Sequence, residues 1–193
     1  MQMRAPGVAL FVALLLALSG ASAAATTMIL EPAGEYTMAS NGAVTYSGEG
    51  VEITCTETIE GVFERTISGI EREGSSMGQV NEESVSECSG GSFSAVLRLP
   101  WPIRFVRLLG EVRRLNGVLY LIANDTISFV LFGGLCLYVG VTGMLWSFNE
   151  FRGERVTNLG TFYRRFSGGI LCPPVIIRSG TFNVSPPQTV SFR

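Results

Sequence analysis

A chain of 193 residues with a formal net charge of -2 has the length for one domain with a real core, or two small ones, and its charge gives no case for a nucleic-acid partner. All 14 basic residues are arginine, and both lysine and histidine are absent. That excludes Ser-His-Asp, Cys-His and Ser-Lys nucleophiles, any imidazole metal ligand and the usual general base at neutral pH.

Residues 1–25 read as a secretory signal peptide. Arg4 supplies the positive end, residues 8–18 form an apolar run too short to span a bilayer, and Ala21-Ser22-Ala23 is a small-x-small cleavage site. Residues 1–23 are then removed and the mature chain starts near Ala24; an uncleaved anchor is the alternative, and no cysteine is placed for lipidation. Export makes the four cysteines, Cys55, Cys88, Cys136 and Cys172, a disulfide framework. Three pairings exist. Cys55 with Cys88 and Cys136 with Cys172 is favoured, because each bond then staples one half of the chain. The partners lie 33 and 36 residues apart, and closing a loop of that size stabilises by about 3–4 kcal/mol. A four-cysteine zinc site is the rival, weakened by the lack of any Cys-x-x-Cys pair.

Within the single domain expected over residues 24–193, the halves differ in charge. Residues 26–97 hold twelve glutamates against Arg65 and Arg72; residues 98–193 hold eleven arginines against Glu111, Asp125, Glu150 and Glu154. Two solvated faces explain this, as would halves that pack with complementary charges, or an anionic partner for the arginines, such as wall polymer or lipid. Residues 35–47 suggest a hairpin turning at Asn41-Gly42. Residues 51–59 alternate, with Val51, Ile53 and Cys55 on the inward face of a strand. Glu60-Gly61 could turn that strand into 62–67. Residues 70–83 are polar and read as loop, with room for a short helix. Ser89-Gly90-Gly91 turns into a strand over 93–99, which Leu99-Pro100-Trp101-Pro102 stops. Trp101 reads as a buried plug between the halves, or else as part of an exposed binding patch.

Residues 103–115 are extended, with Gly110 marking a bulge. Turn signals then follow at Asn116-Gly117, Asn124-Asp125, Gly133-Gly134 and Thr142-Gly143, separating strands over 118–123, 126–132, 135–141 and 144–151. The uncharged run 126–149 has the length of a transmembrane helix. Its four glycines and its Val, Ile, Phe, Tyr and Thr content favour strands instead. Strands of seven are also short for a transmembrane barrel. A more polar stretch over 153–166 precedes a final hairpin over 175–184 and an edge strand over 189–192. The fold class expected is all-β: an antiparallel meander closing as a sandwich or barrel, with both faces of the central strands enclosed.

At residues 78–91 (GQVNEESVSECSGG), 99–104 (LPWPIR) and 134–138 (GLCLY), the chain resembles exported four-cysteine β-rich proteins of GC-rich actinobacteria, a group with no known activity. The resemblance implies export and disulfides and carries over no site residue. No phosphate-binding glycine loop is present, and a calcium loop would need more than the lone Asp125. No cofactor, metal site or catalytic residue is therefore expected. Asn124-Asp125-Thr126 and Asn183-Val184-Ser185 match glycosylation acceptors, though Asn124 is better explained by turn chemistry. The leading reading is a secreted or wall-associated, non-enzymatic structural or binding β-domain, its partner an anionic wall polymer or a small apolar ligand. Tyr120, Tyr138, Trp146 and Phe148 would line the ligand site, or simply fill the core. The alternatives are a histidine-free glycan hydrolase using carboxylates such as Glu82/Glu83 or Glu150/Glu154, and an integral membrane protein spanning at 126–149.

Overall fold

Alternation of inward apolar and outward side chains dominates the chain, and it folds accordingly into strands. The structure, a computed structural model, describes residues 27–70, 73–111, 114–149 and 152–193; the predicted signal peptide lies outside them. Among the described residues there are twelve strands in one antiparallel sheet. The first five are β1 (Met28–Glu31), β2 (Gly34–Ser40), β3 (Val44–Gly48), β4 (Val51–Phe63) and β5 (Thr66–Ile67). They are followed by β6 (Ser76–Ser89), β7 (Ser92–Val96) and β8 (Trp101–Glu111). The last four, β9 (Arg114–Leu131), β10 (Gly134–Asn149), β11 (Arg152–Ser167) and β12 (Val175–Phe192), are the longest.

Several of these strands are segments of one continuous stave. β1, β2 and β3 run end to end along β12, and along β5 and β4 on the other side. β7 and β8 run end to end along β9. The staves are thus β1–β2–β3, β4–β5, β6, β7–β8, β9, β10, β11 and β12. Pairing of β11 with β12 closes the ring, giving an up-and-down barrel of eight staves, a size whose interior side chains can fill.

Most departures from the sequence reading have one cause. Asn41-Gly42 is no hairpin turn: Gly42 has φ +89° and the Asn41 N–H donates to Thr181 O at 2.7 Å, so the pair kinks a stave that continues into β3. Glu60-Gly61 lies inside β4. Asn116-Gly117 and Asn124-Asp125 lie inside β9, where Asn124 has φ +63°, and Thr142-Gly143 sits at a register shift in β10. Bulges and tight turns recruit the same residues, because both need positive φ or a missing side chain. The signals marked bulges in strands of 16 and 18 residues, not turns between strands of seven. Residues 76–83, read as loop, belong to β6; their polarity is that of an outward strand face. The polar stretch after residue 152 is β11, and the final hairpin and edge strand are one strand, β12.

Other readings hold. The Gly133-Gly134 region does turn, through Phe132 and Gly133 with φ +51° and +76°. Pro100 lies in the break between β7 and β8, while Trp101 and Pro102 open β8; Trp101 is buried and its indole N–H donates to Leu97 O at 3.0 Å. Gly110 sits at a register shift. Residues 126–149 are the end of β9 and all of β10, joined by the Phe132-Gly133 turn, and among the described residues no helix is long and apolar enough to cross a membrane. One expectation about this run is corrected: its outward face is not enclosed. Leu135 and Val141 project from β10 into the open, as Phe162 does from β11 and Ile177 from β12.

Candidate functional site

The barrel interior has three layers. At the end where Thr27 pairs with Arg193, Tyr36 stacks on Phe63 with ring centroids 4.1 Å apart, Phe63 on Trp146 at 4.9 Å, and Phe148 lies 5.1 Å from Trp146. Tyr120 meets Trp146 edge-on at 6.4 Å. At the opposite end Tyr46 and Phe93 pack against Phe129, and Tyr138 donates to Pro173 O at 3.2 Å. All four predicted lining residues therefore point inward. Tyr120, Trp146 and Phe148 meet in one layer, Tyr138 lies in the other, and only Phe148 also reaches a surface cleft, beside Arg152, Arg155 and Asn183.

Between the layers sits a cluster of charges that the sequence reading missed. Arg178 on β12 is wholly buried and ion-paired with Glu57 on β4. Its Nη2 is also 3.1 Å from Glu83 Oε1 on β6, and its Nη1 is 3.2 Å from Asp125 Oδ2 on β9. Tyr46 donates to Glu57 Oε2 at 2.8 Å. Thr142 and Tyr163 each donate to Asp125 Oδ2 at 2.5 Å. Gly140 lies opposite both Asp125 and Tyr163 in the sheet; a Cβ there would fall 2.7 Å from the Tyr163 ring, so the missing side chain lets the ring cross to Asp125. Alternation placed these charges: Glu57 follows Val51, Ile53 and Cys55 on the inward face of β4, and Arg178 follows Ile176 on that of β12.

One guanidinium faces three carboxylates, so they cannot all ionise cheaply. Burial pushes the Glu83 carboxyl well above its ordinary range, with the Asp125 charge adding to the rise. Burial raises Asp125 from 3.8 to about 6, against the hydrogen bonds from Thr142 and Tyr163 that hold it down. Desolvation also pushes up the Tyr46, Tyr120 and Tyr163 hydroxyls, which keeps them as donors. The guanidinium occupies the place a cation would take among these acids, and among the described residues no set of side chains is spaced to hold a metal ion. Of the paired carboxylates considered for glycan hydrolysis, Glu82 and Glu83 do not converge. Glu82 points out and Glu83 in, Glu150 lies outside the described residues, and Glu154 pairs with Arg152 at 2.7 Å.

Both disulfides follow the favoured pairing. Cys55–Cys88 ties β4 to β6, and Cys136–Cys172 ties the start of β10 to the loop over 168–174. That loop is braced by Arg165, whose guanidinium donates to Gly169 O at 3.1 Å and Cys172 O at 2.5 Å.

The outer wall is divided. Glu52, Thr56 and Glu60 on β4 and Asn81, Glu82, Ser84 and Ser86 on β6 make one side polar. The other side, β9 to β12, exposes apolar side chains, among them Leu135, Val141, Leu159, Phe162, Val175 and Ile177, interspersed on β11 and β12 with polar ones such as Arg155, Ser179 and Asn183. A shallow groove of about 400 Å³ runs along it, lined by Val139, Val141, Phe162 and Arg164. These features define a closed, disulfide-stapled, up-and-down antiparallel β-barrel with a filled interior and a two-sided exterior. Compared with known proteins, the chain matches no family model, no curated protein and no solved structure.

Proposed function

We propose that the protein is an exported, non-enzymatic binding domain that works through its outer surface, with the barrel as a rigid scaffold. The observation that carries this reading is the contrast between the two faces of β9–β12. Inside, the aromatic side chains are spent on one another and on Arg178's cluster; outside, an apolar patch of Val141 and Phe162 beside the half-buried Val139, with Leu135 on β10 and Val175 and Ile177 on β12, stays exposed. Contiguous exposed apolar surface of this kind marks interaction sites. The two disulfides fit an oxidising compartment, which supports secretion or wall association. Carboxylates sealed around an arginine are poorly placed to meet a glycan, which favours binding over hydrolysis.

Strands of 16–18 residues have the reach to cross a bilayer. The polar wall of β4 and β6 favours a domain resting beside or on its partner, because a spanning barrel presents an apolar band all round.

The test is where an apolar probe binds. In an NMR titration with N-phenyl-1-naphthylamine, amides of outward residues on β10 and β11 are expected to shift, while the indole signals of Trp101 and Trp146 stay in place. Movement of both indoles with the outer amides silent would show an interior ligand site and overturn the surface reading.

A further inference from the structure

We infer that the disulfide-clamped end of the β9–β12 wall docks on an anionic lipid surface. The inference rests on the reading of the outer face as the binding surface and names its partner.

Two turns project side by side at that end, the Phe132-Gly133 turn and the 168–174 loop, joined by Cys136–Cys172. They and the adjoining ends of β10 and β11 carry Phe132, Leu135, Phe166, Ile170 and Leu171, all well exposed, with Ile170 at 95 % of its free surface. A side chain standing that far clear of its own fold finds no burial against a flat protein face. It is covered by a deep pocket or by a fluid phase, and several such side chains on adjacent tips suit the fluid. The disulfide and the Arg165 hydrogen bonds hold the loop in place, so little ordering entropy opposes insertion.

Charge supplies the second argument. Arg98 projects from the break between β7 and β8 and lies over the Phe166 ring, 5.5 Å from its centre. Arg164 borders the apolar groove on the same wall. No aspartate or glutamate occurs in residues 126–149 or from residue 155 to the C-terminus, so these arginines face outward without local acid partners. Of the carboxylates near this end, Glu52 and Glu87 belong to the wall of β4 and β6, where Glu87 is engaged by Thr56 at 2.9 Å, and Glu49 follows β3 beside β12, one acid against the two arginines. Apolar tips ringed by arginine match a bilayer with anionic headgroups: acyl chains take the tips and phosphates take the guanidiniums. A soluble wall polymer offers the second and not the first.

The experiment is flotation of the mature chain, oxidised, with phosphatidylcholine vesicles with and without phosphatidylglycerol. Binding is expected only with the anionic lipid and is expected to weaken with salt. Arg98→Gln with Arg164→Gln is expected to lower the partition coefficient about 30-fold, about fivefold per arginine. Ile170→Ser with Leu171→Ser is expected to lower it at least about tenfold. All four sites are exposed, and intact disulfides by mass confirm folding of each variant. Equal binding of the variants and the parent overturns the proposal. So does binding to soluble polyglycerol phosphate that ignores Ile170 and Leu171, or a concentration-dependent dimer that the serine variant abolishes. Those last two results would leave the surface reading standing, whereas movement of the buried indoles in the probe titration removes it independently.

Discussion

Replacing Arg178 by methionine is expected to lower the unfolding free energy by about 3–5 kcal/mol at pH 7.5, and acid is expected to restore part of the loss. Methionine keeps an unbranched apolar stem in place of the arginine's and removes the charged head. Glu57, Glu83 and Asp125 then share an interior with no cation, and breaking a buried ion pair by removing one partner costs that much. The pH signature follows from the native protein. Asp125 rises from 3.8 to about 6 on folding, so between those values the folded state holds a proton that the unfolded state has released. Stability therefore falls as pH rises through that window, by about 3 kcal/mol in all, and levels off above it. Glu83 acts in the same direction. Without Arg178 both carboxyls need their protons more, so the methionine variant gains more on acidification than the parent. Urea unfolding at pH 4.5 and pH 7.5, disulfides intact, measures all four values; a deficit that is the same at both pH values would contradict the cluster's role.

The second large effect is expected from the disulfide that holds the 168–174 loop. Changing Cys136 and Cys172 together to serine is expected to cost about 2–5 kcal/mol, the usual consequence of removing a native bridge from a small exported domain. The Cys55–Cys88 bridge closes a loop of similar length, 33 against 36 residues, so chain entropy alone predicts similar losses for both. Their local consequences differ. Cys55 and Cys88 lie on strands already paired along their length, whereas Cys172 lies in the loop outside any strand. Loss of Cys136–Cys172 is therefore expected to open residues 166–172 to chymotrypsin, and loss of Cys55–Cys88 to leave that segment resistant. Equal resistance in both variants would show that Arg165 and the β11–β12 pairing hold the loop unaided.

The course of the chain was legible where physics is local. Alternation over residues 51–55 named the inward face of β4, the Ser-Gly-Gly turn at 89–91 ends β6, and the two disulfides pair as their spacing suggested. Strand length was not legible, because Asn124 with its positive φ and Thr142-Gly143 at its register shift look the same in a bulge as in a turn. What separates the two cases is whether the next segment continues along the same neighbour, a tertiary fact. The charge cluster was half legible. Glu57 stands at an inward position of an alternating strand, which is a costly place for a carboxylate and a signal in itself. Its partner lies 121 positions away on the strand that closes the barrel, and no local rule connects them. The exposed outer face of β9 and β10 was seen as apolar and assigned to an enclosed core, because a sequence does not say whether the second face of a strand is covered.

The seam between β11 and β12 turns an open sheet into a sealed barrel and closes the interior. Native-state hydrogen exchange reads that seam directly. Amides in its ladder, such as those of Val156, Phe162 and Phe182, are expected to exchange as slowly as Tyr120 and Met144 in the β9–β10 ladder, all of them opening only with global unfolding. Fast exchange confined to the β11–β12 amides, with β9–β10 still protected, would mean an open sheet and an accessible interior, and would contradict the closed barrel.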